Sequence, residues 1–187
     1  KNNNGKSIAR RTNIPRAPAR GIPEHMRVKL KYFEYIAPDA ESGVTAGFAF
    51  RANGPHDPYY SLGGHQPLGY DEFAAIYQHL VVLNSKIKVH ASSQGSVVAP
   101  PAIFGVSLQP STTAPSANIL TTLEQTSVKW GSVNLNGNYN NKPMVSVEHS
   151  FNAAKFFSLD DPMDEKADIG SLTTTTPTEE AFFYCFV

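Results

Sequence analysis

Ala181-Phe-Phe-Tyr-Cys-Phe-Val187 decides the fold. A strand with one wet face alternates apolar and polar side chains, because successive residues point to opposite sides of the sheet. Here both sets of alternating positions are apolar, so both faces need cover and the strand is expected deep in a sheet. Upstream, Ile169–Thr174 is a candidate seventh strand. Val145, Val147, His149 and Phe151 line one face of a sixth, and Val128–Val133, with Trp130, forms a fifth. Ala102, Phe104, Val106 and Leu108 alternate with Ile103, Gly105, Ser107 and Gln109 in a fourth. In a third, Ile87, Val89 and Ala91 alternate with Lys86, Lys88 and His90. Thr45–Arg51 is the second. The first is Met26–Ile36, where Val28, Leu30 and Tyr32 alternate with Arg27, Lys29 and Lys31.

The segments between are long. Residues 53–69 form a loop rich in Gly, Pro and His, and Asn134–Asn141 is a turn cluster. Phe73, Ile76, Tyr77 and Leu80, at i, i+3, i+4 and i+7, predict a short amphipathic helix. A second short helix or turn is expected over Asn118–Gln125, after a Ser/Thr/Pro-rich loop at Pro110–Ser116. Eight short strands, long loops and two short helices predict an all-β fold of eight antiparallel strands, a β-sandwich or a single jelly roll, spanning residues 26–187. Residues 1–25 are polar, basic and broken by Pro15, Pro18 and Pro23. They bury too little apolar surface to fold alone and make an extended N-terminal arm.

Charge divides the chain at the same place. Residues 1–31 hold nine Lys and Arg against one acid, Glu24, a net of +8; the remaining residues carry −8, so the total is zero. A basic arm on an acidic body meets a polyanion. Six of the cations (Lys1, Lys6, Arg10, Arg11, Arg16 and Arg20) fall in the first twenty residues, with no acid and no aromatic among them. Charge neutralisation without base readout is expected there. If all six met a single strand, the log–log salt slope would be about −4. Lys29 and Lys31 on the first strand extend the same basic surface. Because the sequence begins at Lys1, a longer basic arm is expected upstream.

Other chemistry finds little support. A lone cysteine, Cys185, excludes an intrachain disulfide and multi-Cys zinc sites, and its apolar surroundings suit an inert buried thiol. His56, Asp57 and His65 lie within ten residues of one another, yet their spacing fits no common zinc motif and the cupin ligand pattern is absent. Asp57 and His65 are expected to fix the loop by hydrogen bonds instead. The acids from Asp160 to Asp168 lack EF-hand spacing and make a solvated loop. Gly5-Lys6-Ser7 lacks the glycine, strand and helix of a P-loop. No nucleophile, base and orienter assemble, so no enzyme, metal or cofactor is expected. No stretch has the length of a membrane span.

Phe50-Arg-Ala-Asn-Gly-Pro-His-Asp-Pro58, then Gly63-Gly-His-Gln-Pro-Leu-Gly-Tyr-Asp-Glu-Phe73, Tyr77 and Asn84-Ser-Lys-Ile-Lys-Val89 resemble capsid proteins of small circular Rep-encoding single-stranded DNA viruses, the circovirus-like group. The order of motifs matches over about forty residues, and the basic arm and aromatic last strand extend the likeness. The resemblance implies a jelly roll that self-assembles into a small icosahedral shell around single-stranded DNA. Lys6, Arg10, Arg11, Arg16, Arg20, Lys29 and Lys31 would face the genome. The Gly54–Gly69 loop, with His56, Asp57, His65 and Gln66, would make subunit contacts. The virion is the implied location, with the host nucleus a candidate place during assembly. Two alternatives stay open: a capsid protein of a small RNA or satellite virus, and a monomeric β-sandwich module that binds carbohydrate or another ligand.

Overall fold

A computed structural model of the chain describes residues 21–38, 45–61, 64–92, 102–133, 145–163 and 166–187. Eight strands run through them: β1 (Gly47–Arg51), β2 (His79–Val81), β3 (Asn84–Ala91), β4 (Ala102–Gln109), β5 (Val128–Val133), β6 (Val145–Asn152), β7 (Gly170–Leu172) and β8 (Phe182–Phe186). Four helices of four or five residues accompany them: α1 (Tyr70–Ala74), α2 (Ile119–Leu123), α3 (Ala153–Phe156) and α4 (Lys166–Ile169). The protein is all-β, and every strand pair is antiparallel.

The pairs nest. β1 joins β8, β2 joins β7, β3 joins β6 and β4 joins β5. A further pairing of β4 with β8 merges two of them into one four-stranded sheet ordered β1-β8-β4-β5. The other two pairs remain two-stranded.

β8 therefore has a strand on either side and a core on either face. Ala181 and Phe183 belong to a buried cluster with Phe104 and Val106 of β4, Val133 of β5, and Val147 and Phe151 of β6. Ile87 and Val89 of β3 pack against it, so the four-stranded sheet and the β3-β6 pair share one apolar interior. On the opposite face Phe182, Tyr184 and Phe186 gather with Ala49 and Val128, covered by Ala114, Ile119 and Leu123 from the β4–β5 connection. Four of the five β8 residues are buried, which is what apolarity on both faces requires. Burial pushes the Cys185 thiol up to about 12, so it stays protonated and inert. The outer face of β3 and β6 is polar: Lys86, Lys88 and His90 are exposed beside Glu148, which pairs with Lys86.

Three expectations are corrected. Met26–Ile36 is not a strand: it pairs with no other strand among the described residues, although its side chains alternate between body and solvent from Leu30 to Ile36. A ladder needs a partner backbone, and β1 takes its own partner from β8. The helix expected through Leu80 ends at Ala74, and His79–Val81 pairs instead with β7. Here a strand pairing overrides a weak local helix preference. Finally, α3 and α4 are present beyond the two short helices expected. The helix at Asn118–Gln125 is present as α2, with the Asn118 side chain accepting the Leu120 N–H at 2.9 Å as its cap. The turn cluster at Asn134–Asn141 lies outside the described residues.

Candidate functional site

Phe48-Ala-Phe50 is apolar and Arg51 closes the strand, so a cation stands at the rim of the core. Its Nε donates to Glu180 at 2.5 Å, and its Nη1 donates to both the carboxylate and the backbone carbonyl of Asp57 at 2.9 Å. Its guanidinium also lies 4.9 Å from the Tyr60 ring centre. The Arg51 side chain is only 11% exposed, so this fork of charge-assisted bonds is poorly screened by water. It clamps the long loop to the chain entering β8.

Asn53 adds a second clamp. Its amide donates to the Glu179 carbonyl at 2.8 Å and accepts the Ala181 N–H at 2.9 Å, continuing the β1–β8 pairing with a side chain. Beyond it the loop turns back along the free edge of β1. Arg51 N donates to Pro58 O at 2.8 Å and Tyr60 N to Ala49 O at 3.1 Å. That return covers the outer edge of the sheet, which would otherwise offer open hydrogen-bonding groups to other chains.

The four loop residues named from sequence go to different places. Asp57 is held by Arg51, and its side chain keeps 36% exposure. The His56 ring meets the edge of Tyr70 at 6.2 Å. Tyr70 is itself buried and donates to Thr173 O at 2.7 Å, and burial pushes its hydroxyl up to about 12. His65 is 63% exposed and stacks on Tyr32 at 4.7 Å. Gln66 is half-buried. Among the described residues no three His, Cys, Asp or Glu side chains are grouped to hold a metal ion.

The Tyr32–His65 stack anchors residues 26–36 to the body. Tyr32 also meets Phe50 edge-on at 6.4 Å, and its hydroxyl donates to Glu34 at 2.7 Å. Gly64 makes room for it: a Cβ there would lie 2.7 Å from the Tyr32 hydroxyl and 2.8 Å from Tyr59 Cβ. The bond from Tyr32, with a second from the Tyr35 N–H and the nearby His65, holds the Glu34 carboxyl below its usual range. At the start of the segment, the Tyr77 hydroxyl donates to Pro23 O at 3.0 Å.

Leu30, Tyr32, Glu34 and Ile36 thus turn to the body, while Arg27, Lys29, Lys31, Phe33 and Tyr35 are exposed. Lys29 and Lys31 sit where the sequence puts them, on a solvent-facing side. Lys6, Arg10, Arg11, Arg16 and Arg20 lie outside the described residues. Sequence reasoning missed Arg51, Asn53 and Glu180 as a unit. The available signal was a cation ending one apolar strand and the acids Glu179-Glu180 directly preceding another.

A hollow lined by Pro110, Phe156, Phe157, Glu179 and Glu180 lies nearby. Its lining supplies carboxylates and rings, and Glu180 is already taken by Arg51. No helix among the described residues is long and apolar enough to cross a membrane. No family model matches the chain, and no curated protein or solved structure does either.

Proposed function

We propose that the protein is a viral capsid protein: a jelly roll that self-assembles into a small icosahedral shell and packages single-stranded DNA through its basic N-terminal arm. One observation carries this function: nine cations against one acid in residues 1–31, the last three of them the exposed Arg27, Lys29 and Lys31, on an otherwise acidic chain. Electrostatic neutralisation of phosphates needs such an arm and needs no base-specific contacts. The nested antiparallel pairing supports a jelly roll, in which a long two-stranded ribbon is rolled so that first and last strands meet. The sequence motif from Phe50 to Val89 favours DNA over RNA as the cargo.

His65, Gln66, His56 and the Asp57 backbone stand on a loop that is pinned at Arg51 and Asn53, and a pinned loop suits repeated contact between copies. No catalytic role or cofactor forms part of the proposal. Electron microscopy of the purified protein, with its absorbance ratio at 260 and 280 nm, tests it. Uniform shells carrying DNase-sensitive nucleic acid are expected. RNase-sensitive contents would transfer the function to an RNA virus, and a nucleic-acid-free monomer at all concentrations would overturn it.

A further inference from the structure

The outward face of residues 27–35 reads Arg27, Lys29, Lys31, Phe33, Tyr35 at every second position. Phe33 and Tyr35 are each 72% exposed, against 53% for Trp130 and 42% for Tyr60. From Lys29 to Ile36 exposed and half-buried residues alternate as in an extended chain, which sets like-facing side chains about 6.6 Å apart. Lys29, Lys31 and the two rings therefore stand in one row, with Arg27 exposed just before it. The only acid between them, Glu34, points the other way and is occupied by Tyr32. None of the three cations makes an ion pair with a described residue.

The geometry points to a binding strip for single-stranded nucleic acid in which Phe33 and Tyr35 stack on bases while Arg27, Lys29 and Lys31 hold the adjacent phosphates. This rests on the packaging function proposed above and adds to it base contact, which the arm of residues 1–20 has no aromatic side chain to make. Unpaired bases stack on exposed rings regardless of sequence, and a cationic track beside the rings follows the backbone. Duplex DNA hides its base faces, so the strip discriminates single from double strands without reading sequence. Charge disfavours pairing of this strip with the same strip of a second copy, which would bring the same three cations to the contact, and favours a polyanion there. The anchor beneath the strip, Tyr32 against His65 and Phe50, fixes the row to the body.

The test measures binding of the full chain, stripped of nucleic acid, to a labelled oligo-dT and to an abasic oligomer with the same number of phosphates. The wild type should prefer oligo-dT by on the order of tenfold or more. The double variant F33L/Y35L should bind both oligomers alike, with an unchanged salt slope, and Tyr35→Phe should keep the preference. The charge variant R27Q/K29Q/K31Q should keep the preference while its salt slope becomes shallower by about 2. These side chains are exposed, so circular dichroism should show all the variants folded. Equal wild-type affinity for the two oligomers would overturn the stacking strip and leave packaging by charge intact. Preference retained in F33L/Y35L, together with a changed sedimentation coefficient, would assign the rings to contact between copies instead. Absence of wild-type binding to either oligomer at low salt would remove the packaging function itself.

Discussion

Asn53 Oδ1 accepts the backbone N–H of Ala181 at 2.9 Å, and the two residues are 1% and 0% exposed. A side chain thus stands where the next rung of the β1–β8 ladder would be. Asn53→Leu leaves the Ala181 N–H without its acceptor and the Glu179 carbonyl without its donor. A loss of about 2–4 kcal/mol is expected, read from the urea midpoint at unchanged m-value. A loss under about 0.5 kcal/mol would mean that water takes over both bonds.

Arg51 should be intolerant of its nearest substitute. Arg51→Lys keeps the charge and loses the fork that reaches Glu180 and Asp57 together, for about 1–2 kcal/mol. Arg51→Met leaves both carboxylates near the core without a cation, for about 3 kcal/mol. Equal effects of the two in denaturant unfolding would show that the fork, and not the charge, carries the contact.

The loop residues should separate by role. His65→Ala removes an exposed ring, so unfolding free energy should move by less than about 0.5 kcal/mol while particle yield falls. Asp57→Ala should lower both, by about 1 kcal/mol in stability through the Arg51 contact. Normal particle yield from both variants would remove the loop from the assembly surface.

Gly64→Ala should release the 26–36 segment while leaving the body folded, because its methyl group would meet the Tyr32 hydroxyl and Tyr59. Trypsin reports this directly: faster cutting at Arg27, Lys29 and Lys31 is expected, with the unfolding midpoint little changed. Unaltered cutting would mean that Tyr32 finds another seat.

The same segment should loosen in acid. The Glu34 carboxyl is held below its ordinary range chiefly by the Tyr32 hydroxyl. Its contribution is therefore complete above the free-glutamate value of about 4.3 and disappears as pH falls through the lowered native value. The Tyr35 N–H donates to the Glu34 carboxylate at 3.1 Å, and its hydrogen exchange, corrected for the intrinsic rate, should show protection falling below about pH 4 in the wild type. In Glu34→Gln the protection should be flat across that range.

Much of the sheet was readable in the sequence because its physics is local. Ile87, Val89 and Ala91 against Lys86, Lys88 and His90 show a period of two, and β3 has the apolar face half-buried against the core. Phe182 to Phe186 lack a polar face, and β8 lies between two strands and two cores. Val28, Leu30 and Tyr32 carry the same period, yet alternation fixes only where side chains point. It does not supply the second backbone that makes a strand. The three-residue β2 was hidden because Leu80 completes a helical stripe with Phe73, Ile76 and Tyr77, and only pairing with β7 decides against it. The clamps were unreadable for a different reason. Arg51 and Asn53 find their partners at Glu180, Glu179 and Ala181, more than 120 residues along the chain. No local pattern encodes a meeting at that separation.

The central place of β8 bears on how the protein is made. Both of its neighbours are synthesised earlier, β4 some seventy residues before it and β1 more than a hundred and thirty. The four-stranded sheet therefore stays incomplete on the ribosome until residue 186 has cleared the exit tunnel. Until then β1 and β4 each present an open edge, and Phe104 and Val106 lack their cover. Such long-range pairing makes closure slow and leaves the nascent chain adhesive.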